Sequence, residues 1–435
     1  MRIDIVGVFA VLLAAPNALA DDLGRAVDQD YEAHLGPLFR HFHAHPELSL
    51  QEKATAARLA RELRAQGFEV TEGVGRTGVV ALLENGPGPR VMMRADMDGL
   101  PVREKTGLPY ASEATQADPD GVVQPVMHAC GHDVHITSLV GTARWMAGHR
   151  DAWSGTLMLI GQPAEERFGG AEIMRKDGLY ERFGKPDFAL AFHVNSLMAT
   201  GTVYAADEAA YAGVDSVDLT VFGVGAHGAA PHAGKDPVVL GAQMIMGLQT
   251  LVSRTLSPRV PGVVTVGSFH GGSKHNIISD EAKMQITVRS DDPETRRTLL
   301  DGIRRVAEGT ARAFGLPEER LPKMEVIETY PPTRNDPALV RRLKRAWRER
   351  LGEAAMADYE SLTMGAEDFP FLVTDPETLE PEIPSVYFSV GGTPPDRLDE
   401  AASHHSPLFR IDPEPSVTLG TKATVVALLE LMPTR

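Results

Sequence analysis

Short apolar runs that end in clusters of polar side chains constrain this chain more than any other feature. RVMMRADM (90–97), GTLMLIGQ (155–162) and DFALAFHV (187–194) are strand-length, and GVVALLE (78–84) is also β-rich. Such runs are buried on both faces in a mostly parallel sheet. A segment of helical period, Asp133 to Gly148, separates two of them. That alternation predicts an α/β fold. Open α/β sheets bind ligands beyond the carboxyl ends of their strands. Asp96 and Asp98, Pro163 to Glu166, and His193 fall at those ends, and MHACGHD (127–133) precedes a helix. A single histidine or glutamate pair there is usually a satisfied or solvated residue; their joint occurrence points to a site.

The rest of the chain divides around this pattern. A first helix is expected around Tyr31 to Ala44. Ser49 and Glu52 form a capping-box signature for a second helix, running to about Gln66 and stopping at Gly67. Near Tyr211 the character changes. DSVDLTVFGV (215–224) and EAKMQITVRS (281–290) alternate in period two, like antiparallel strands with one exposed face. Helices are expected from Asp236 to about Leu256 and from Pro293 to about Phe314. From about Tyr330 the α/β pattern resumes through IPSVYFSVGG (383–392) to a last helix ending near Met432. The expected organisation is one discontinuous α/β domain, 21–210 and 329–435, interrupted by a smaller α+β domain over 211–328.

Arg2, the apolar run Ile5 to Ala15, and the small-residue pattern Ala18-Leu19-Ala20 read as a signal peptide cleaved after Ala20. The run is shorter than the roughly 20 apolar residues a bilayer span requires. The expected location is therefore outside the cytoplasm, in a periplasm or the medium. An exported chain with one cysteine, Cys130, forms no internal disulfide, so that thiol is either buried and inert or a ligand. The C-x-H spacing to His132 lets both side chains reach one transition-metal ion. A net charge of -16 argues against nucleic-acid and anionic-membrane partners and leaves small molecules or peptides as ligands.

RADMDGLP, MHACGHD, QPAEE with GGAE, GAHGAAPH, the asparagine of KHNIISD, the arginine of ITVRS, MGAEDF and HHSPLF occur in one order along the chain. In these motifs the chain resembles the metal-dependent aminoacylase and carboxypeptidase clan, in its branch of hippurate hydrolases and indole-acetyl-amino-acid hydrolases. The resemblance covers essentially the whole mature chain. It implies a catalytic α/β domain holding two divalent metal ions, and a lid that often dimerises. Cys130 would be the bridging ligand, with His132 and His193 on one metal and Glu166 and His405 on the other. His404 is the alternative to its neighbour His405. The mixed sulfur, nitrogen and oxygen set suits Zn, Mn, Co or Ni.

The resemblance also implies roles around the metals. Glu165 would be the general base, and Asp98 would hold a ligand imidazole, unless it is only a turn aspartate before Gly99 and Pro101. Asp96 has no assigned role. His227 would stabilise the oxyanion, in some relatives from the partner subunit, and Asn276 and Arg289 would clamp a free carboxylate. The chain departs from the family pattern at Gly99, at Ala226 and Gly228 around His227, and at Ser279. The expected function is hydrolysis of N-acyl amino acids or small peptides to release a free amino acid, by a homodimer. Two alternatives stay open: an exported binding protein that hydrolyses nothing, and a cysteine hydrolase with Cys130 as nucleophile.

Overall fold

The structure, a computed structural model, describes residues 16–434 apart from 168, 360–363 and 376, with side chains from Asp22 onward. The apolar run expected to be a signal peptide lies outside the described residues, and the expected cleavage point after Ala20 falls inside a helix, Pro16–Asp30. That helix continues through a π turn, Tyr31–Leu35, into Gly36–Ala44, so the helix expected from Tyr31 begins earlier. Leu23 and Val27 already pack into the main core.

The fold is α/β, on a seven-stranded sheet. Its centre is parallel: Gly155–Gln162, Arg90–Asp96, Phe188–Ala199 and Ser385–Thr393 lie side by side in that order. Antiparallel strands Glu69–Val74 and Gly78–Asn85 close one side, and Val203–Tyr204 closes the other. Each central strand is buried on both faces, as its apolar run dictates. On one face pack His132–Gly148 and Pro413–Leu431, helices apolar around their whole circumference and buried accordingly. A separate cluster built on Met92, Met158, Met174, Leu372 and Tyr387 covers the other face.

The chain leaves this body through Ala209–Tyr211 and returns through Thr333–Arg334, and these two short strands pair with each other. Between them lies a four-stranded antiparallel sheet, in the order Gly262–Gly271, Glu281–Ser290, Gly213–Phe222, Lys323–Tyr330, running past the boundary expected at 328. Helices Pro237–Thr250 and Pro293–Ala313 cover one face of it and form its own core around Leu240, Met244, Met284 and Leu299.

The expected capping box does not form. Glu52 occupies the N-cap of Lys53–Ala65 without a side-chain cap, and Ser49 donates instead to Asp98 (2.6 Å). The helix's free N–H groups at Ala54 and Thr55 are taken by Glu47, at 3.1 and 2.7 Å. Glu52 accepts from the N–H groups of Leu50 and Ala164 and from the Thr77 hydroxyl. Tertiary demands near the strand ends have taken both residues of the local motif.

Candidate metal centre

Cys130 and His132 reach one point because the residue between them turns the chain sharply. Gly131 has φ +84°, and a Cβ there would lie 2.4 Å from Val194 Cγ1, so glycine is required. His132 then opens the buried helix His132–Gly148. His193 comes from the parallel strand Phe188–Ala199, and Glu165 and Glu166 from the loop after Gly155–Gln162. Ala164 (φ 51°) and His405 (φ 66°), both beside or in the cluster, sit in the left-handed region that non-glycine residues seldom adopt.

The ligand atoms form two groups that share one sulfur. Cys130, His132 and His193 offer atoms within 4.8 Å of one another, and so do Cys130, Glu166 and His405. Cys130 Sγ lies 3.4 Å from His193 Nε2, and His405 Nε2 lies 3.3 Å from Glu166. His193 Nδ1 faces the Val194 carbonyl at 2.7 Å and His132 Nδ1 faces the Asp98 carbonyl at 2.8 Å. A carbonyl only accepts, so both rings carry their proton on Nδ1 and turn a free Nε2 into the site. His132 Nε2 and Glu166 Oε1 are buried and have no hydrogen-bond partner among the described residues. Unpaired buried lone pairs on an imidazole and a carboxylate, next to a shared thiol, are what metal ligation satisfies. The donor set fits two divalent ions.

Electrostatics point the same way. Burial pushes the Cys130 thiol well up, helped by the Glu166 and Glu165 charges. Burial likewise raises Glu165, with Glu367, Glu166 and Asp368 crowding it. Burial opposes a charge on His132 while Asp96 and Asp98 favour one, a demand that a cation at Nε2 meets in place of a second proton. Negative charge thus exceeds what the local side chains neutralise, and cations restore the balance. Cys130 is shared by two ligand groups, a placement that fits ligation rather than the cysteine-hydrolase alternative.

His404 has another task. Its Nε2 donates to the Val194 carbonyl (3.0 Å) and its ring packs on His193 and Phe409; it is half-buried, and desolvation brings its pKa down to about 4. His405, whose side chain is 57% exposed, is the one that faces Glu166. Asp98 does more than turn the chain. Its carboxylate accepts from the N–H groups of Glu165 (3.1 Å) and Glu166 (3.0 Å), fixing the loop that carries both, and lies 3.4 Å from His132 Nδ1. The closer partner of that imidazole is the Asp98 carbonyl, so main chain rather than side chain dominates its orientation.

Several residues of the site have no assignment from sequence. Asp96, buried, meets His135 Nδ1 at 2.5 Å and Arg94 at 2.6 Å, and lies 3.8 Å from His132 Nε2. His135 in turn accepts the Val194 N–H at 2.9 Å. Arg94, fully buried, also binds Gln162 and Glu367 (2.8 and 2.7 Å), tying the MGAEDF loop to the strand ends. Glu367 and Asp368 stand in one group with Glu165. The MGAEDF and MHACGHDVH motifs were the available signal, but their partners are far away in sequence.

The lid residues are split. Arg289 is half-buried at the end of Glu281–Ser290 and reaches the catalytic domain, with Nη1 at 3.4 Å from the Met364 carbonyl. His227 and Asn276 sit at the other end of the lid, both exposed, on a small ribbon in which Gly228 N–H donates to the Asn276 carbonyl (2.8 Å). About 25 Å of strand, at roughly 3.3 Å per residue, separates them from Arg289. The expected pairing of Asn276 with Arg289 in one clamp is therefore not available within a single copy in this arrangement.

The fold and the shared-sulfur cluster define a metal-dependent hydrolase class, and similarity to known proteins names it. Residues 92–429 match the model of peptidase family M20/M25/M40, and the chain belongs to that family. It is 36% identical over 343 residues to the hippurate hydrolase of Campylobacter jejuni, covering 79% of this chain and 85% of that one. It is 34% identical to thermostable carboxypeptidase 2 of Saccharolobus solfataricus, covering 88% of this chain and 92% of that one. The crystal structure of a dinuclear metal-binding M20 peptidase from Bacillus subtilis superposes with a TM-score of 0.76 at 28% identity, covering 93% of this chain and 99% of that one. The chain is accordingly an amide hydrolase, which sets aside the non-catalytic binding protein.

Proposed function

We propose that the protein is an exported, dimeric hydrolase that cleaves the amide bond of N-acyl amino acids or small peptides and releases a free amino acid. The observation that carries this reading is the Cys130 sulfur shared by two ligand groups, with Glu165 in neither of them but grouped with His132 of the one and Glu166 of the other. Cys130, His132 and His193 would hold one ion, and Cys130, Glu166 and His405 the other; Zn, Mn, Co or Ni suits the donors. When bound, such a pair lowers the pKa of a water and polarises the scissile carbonyl.

The chain's own residues supply the rest. Glu165 takes the proton from the attacking water and passes it to the leaving nitrogen. Arg289 holds the free carboxylate of the amino-acid half. Its present bonds, to Thr287 Oγ1 and the Met364 carbonyl, are long at 3.3 and 3.4 Å, so the guanidinium can turn to a substrate. His227 and Asn276 complete the site from a second copy, His227 donating to the oxyanion.

Two features support a dimer through the lid. The outer side of helix Pro237–Thr250 carries exposed Val239 and Met246, the latter 71% accessible, and Ile277 on the neighbouring ribbon is also exposed. Strand Gly262–Gly271 is a sheet edge with one neighbour. Export rests on the N-terminal pattern. The amino-terminal sequence of material recovered outside the cytoplasm tests it.

The reaction is tested by assaying hippurate, N-acetyl amino acids and dipeptides on the purified protein before and after chelation. At least one carboxylate-bearing amide is hydrolysed, activity falls by about a thousandfold or more on chelation, and add-back restores it. Activity that survives complete metal removal sinks the reading.

A further inference from the structure

Tyr211 ends the short strand Ala209–Tyr211, by which the chain leaves the catalytic domain. Its ring packs edge-on against Tyr387 (5.3 Å) and against the apolar cluster on that face of the main sheet. The two tyrosines use their hydroxyls differently. Tyr387 is buried and donates to Glu367 at 2.5 Å. Tyr211 is only half-buried, and its hydroxyl has no hydrogen-bond partner among the described residues. Unlike Thr333 Oγ1 on the opposite strand, that hydroxyl is not sealed from solvent. A packed ring with a free, open hydroxyl is a donor held ready for a ligand.

Its surroundings say which ligand. Glu367, which takes the Tyr387 hydroxyl, stands in one group with Glu165. The Ala212 N–H donates to the Gly365 carbonyl (2.9 Å), next to the Met364 carbonyl that Arg289 touches, and Val214 is the cross-strand neighbour of Arg289. Tyr211 therefore neighbours both the proposed carboxylate clamp and the proposed base. Burial raises its pKa, and the groups whose charges add most to that are Glu367, Cys130, Glu165 and Asp96, with no cation among them. The phenol thus keeps its proton and lies in the field of the metal centre more than in that of Arg289. On a substrate held by its carboxylate at Arg289, the part that reaches the metal centre is the amide to be cleaved.

We infer that Tyr211 is a further catalytic residue, whose hydroxyl donates a hydrogen bond to the carbonyl oxygen of the scissile amide and stabilises the oxyanion that forms there. The proton stays on the phenol, and only the hydrogen bond strengthens as charge develops. This donor comes from the chain that carries the ligand cluster, whereas His227 is proposed to reach the same oxygen from a second copy. The assignment rests on the substrate reading given above.

The test compares the parent with Tyr211→Phe, which keeps the ring and its packing on Tyr387 and removes only the hydroxyl. Both proteins, full-length and metal-loaded, are assayed on hippurate and titrated with 2-carboxyethyl(phenyl)phosphinic acid. The tetrahedral phosphorus and terminal carboxylate of that probe stand in for the hippurate intermediate. In Tyr211→Phe, kcat falls about a hundredfold, the lower end of what one oxyanion donor contributes, with KM within about twofold. The dissociation constant of the phosphinate rises by about the factor lost in kcat/KM. Metal content and urea midpoint stay parental, because the hydroxyl bonds nothing in the free protein. Parental kcat, or phosphinate bound no more weakly than by the parent, overturns the role. So does a rise in KM with kcat kept, which moves the hydroxyl to the substrate carboxylate, and so does loss of metal, which makes Tyr211 structural. Hydrolysis of no amide by the parent counts against the function, and the phosphinate titration then decides for or against Tyr211.

Discussion

The lid helices and the catalytic-domain helix beside the metal centre start by different rules, although Asp336, far from that centre, caps Pro337–Leu351 through the Leu339 N–H just as the lid aspartates do. In the lid, Asp236 caps Pro237–Thr250 through the Val238 N–H, and Asp292 caps Pro293–Ala313 through the Glu294 and Thr295 N–H groups, all at 2.9 Å. Both are the local signal followed as written: an acidic cap, then proline. In the catalytic domain, Ser49 and Glu52 carry an equally good local signal and ignore it, because Asp98 and the loop bearing the two glutamates need them. Where a region serves only its own packing, neighbouring residues decide; where it serves a site, distant partners do. The contrast extends to completeness. The candidate ligand cluster is assembled within one chain, whereas His227 and Asn276 stand exposed on the lid and act, in the proposed reading, from another copy.

The hardest blow to the self-contained half is Glu165→Gln. Turnover should fall by about 10⁴-fold, the upper end of what a positioned general base contributes. Elemental analysis should find the metal content unchanged, since the variant keeps Cys130, His132, His193, Glu166 and His405. An active Gln variant, or one that has lost its metal, removes Glu165 from the base role.

The borrowed half breaks differently. His227→Ala should cost about 10²- to 10³-fold in kcat, as loss of an oxyanion donor does. Dissociated and reassociated with Glu165→Gln, it should recover activity. Half of the dimers then carry one site with both an intact base and an intact partner histidine, so about a quarter of the parental rate returns. Two dead variants that stay dead together would put His227 in its own subunit's site or in none.

Arg289 lies between the two halves, rooted in the lid and touching the catalytic domain. Arg289→Met should raise KM for hippurate by about ten- to a hundredfold, the worth of a charge-assisted bidentate bond. The corresponding amide without a carboxylate should be unaffected. Equal losses on both substrates contradict a clamp.

What the sequence made legible follows the same division. Strand runs, the change of period near Tyr211 and the lid helices were readable because they depend on residues close in the chain. The residues that cluster as candidate ligands were readable through motif register. Their supports were not: Arg94 meets Glu367, and His135 meets Asp96 and the Val194 N–H, across separations that no local pattern encodes. Asn276 and Arg289 are the opposite case. Their motifs are near in sequence, yet a full strand keeps them apart.

The smallest effect isolates the comparison, because it pits two caps of similar chemistry against each other. Asp292→Ala removes the acceptor of two N–H bonds and should cost about 1 kcal/mol of stability, read as a lower urea midpoint with an unchanged slope. Its kcat should remain parental, because Asp292 serves only the start of its helix. Ser49→Ala should do the reverse. Helix Lys53–Ala65 keeps its Glu47 cap, so loss of a true N-cap is not expected in the melt. Asp98, however, loses a donor at 2.6 Å while still holding the Glu165 and Glu166 N–H groups. Supports of this kind typically cost about ten- to a hundredfold in metal affinity or activity when removed, and a loss at the lower end is expected here because three other contacts to Asp98 remain. Equal stability losses in the two variants, with equal activities, would mean that Ser49 is an ordinary cap after all and that the two helix starts obey one rule.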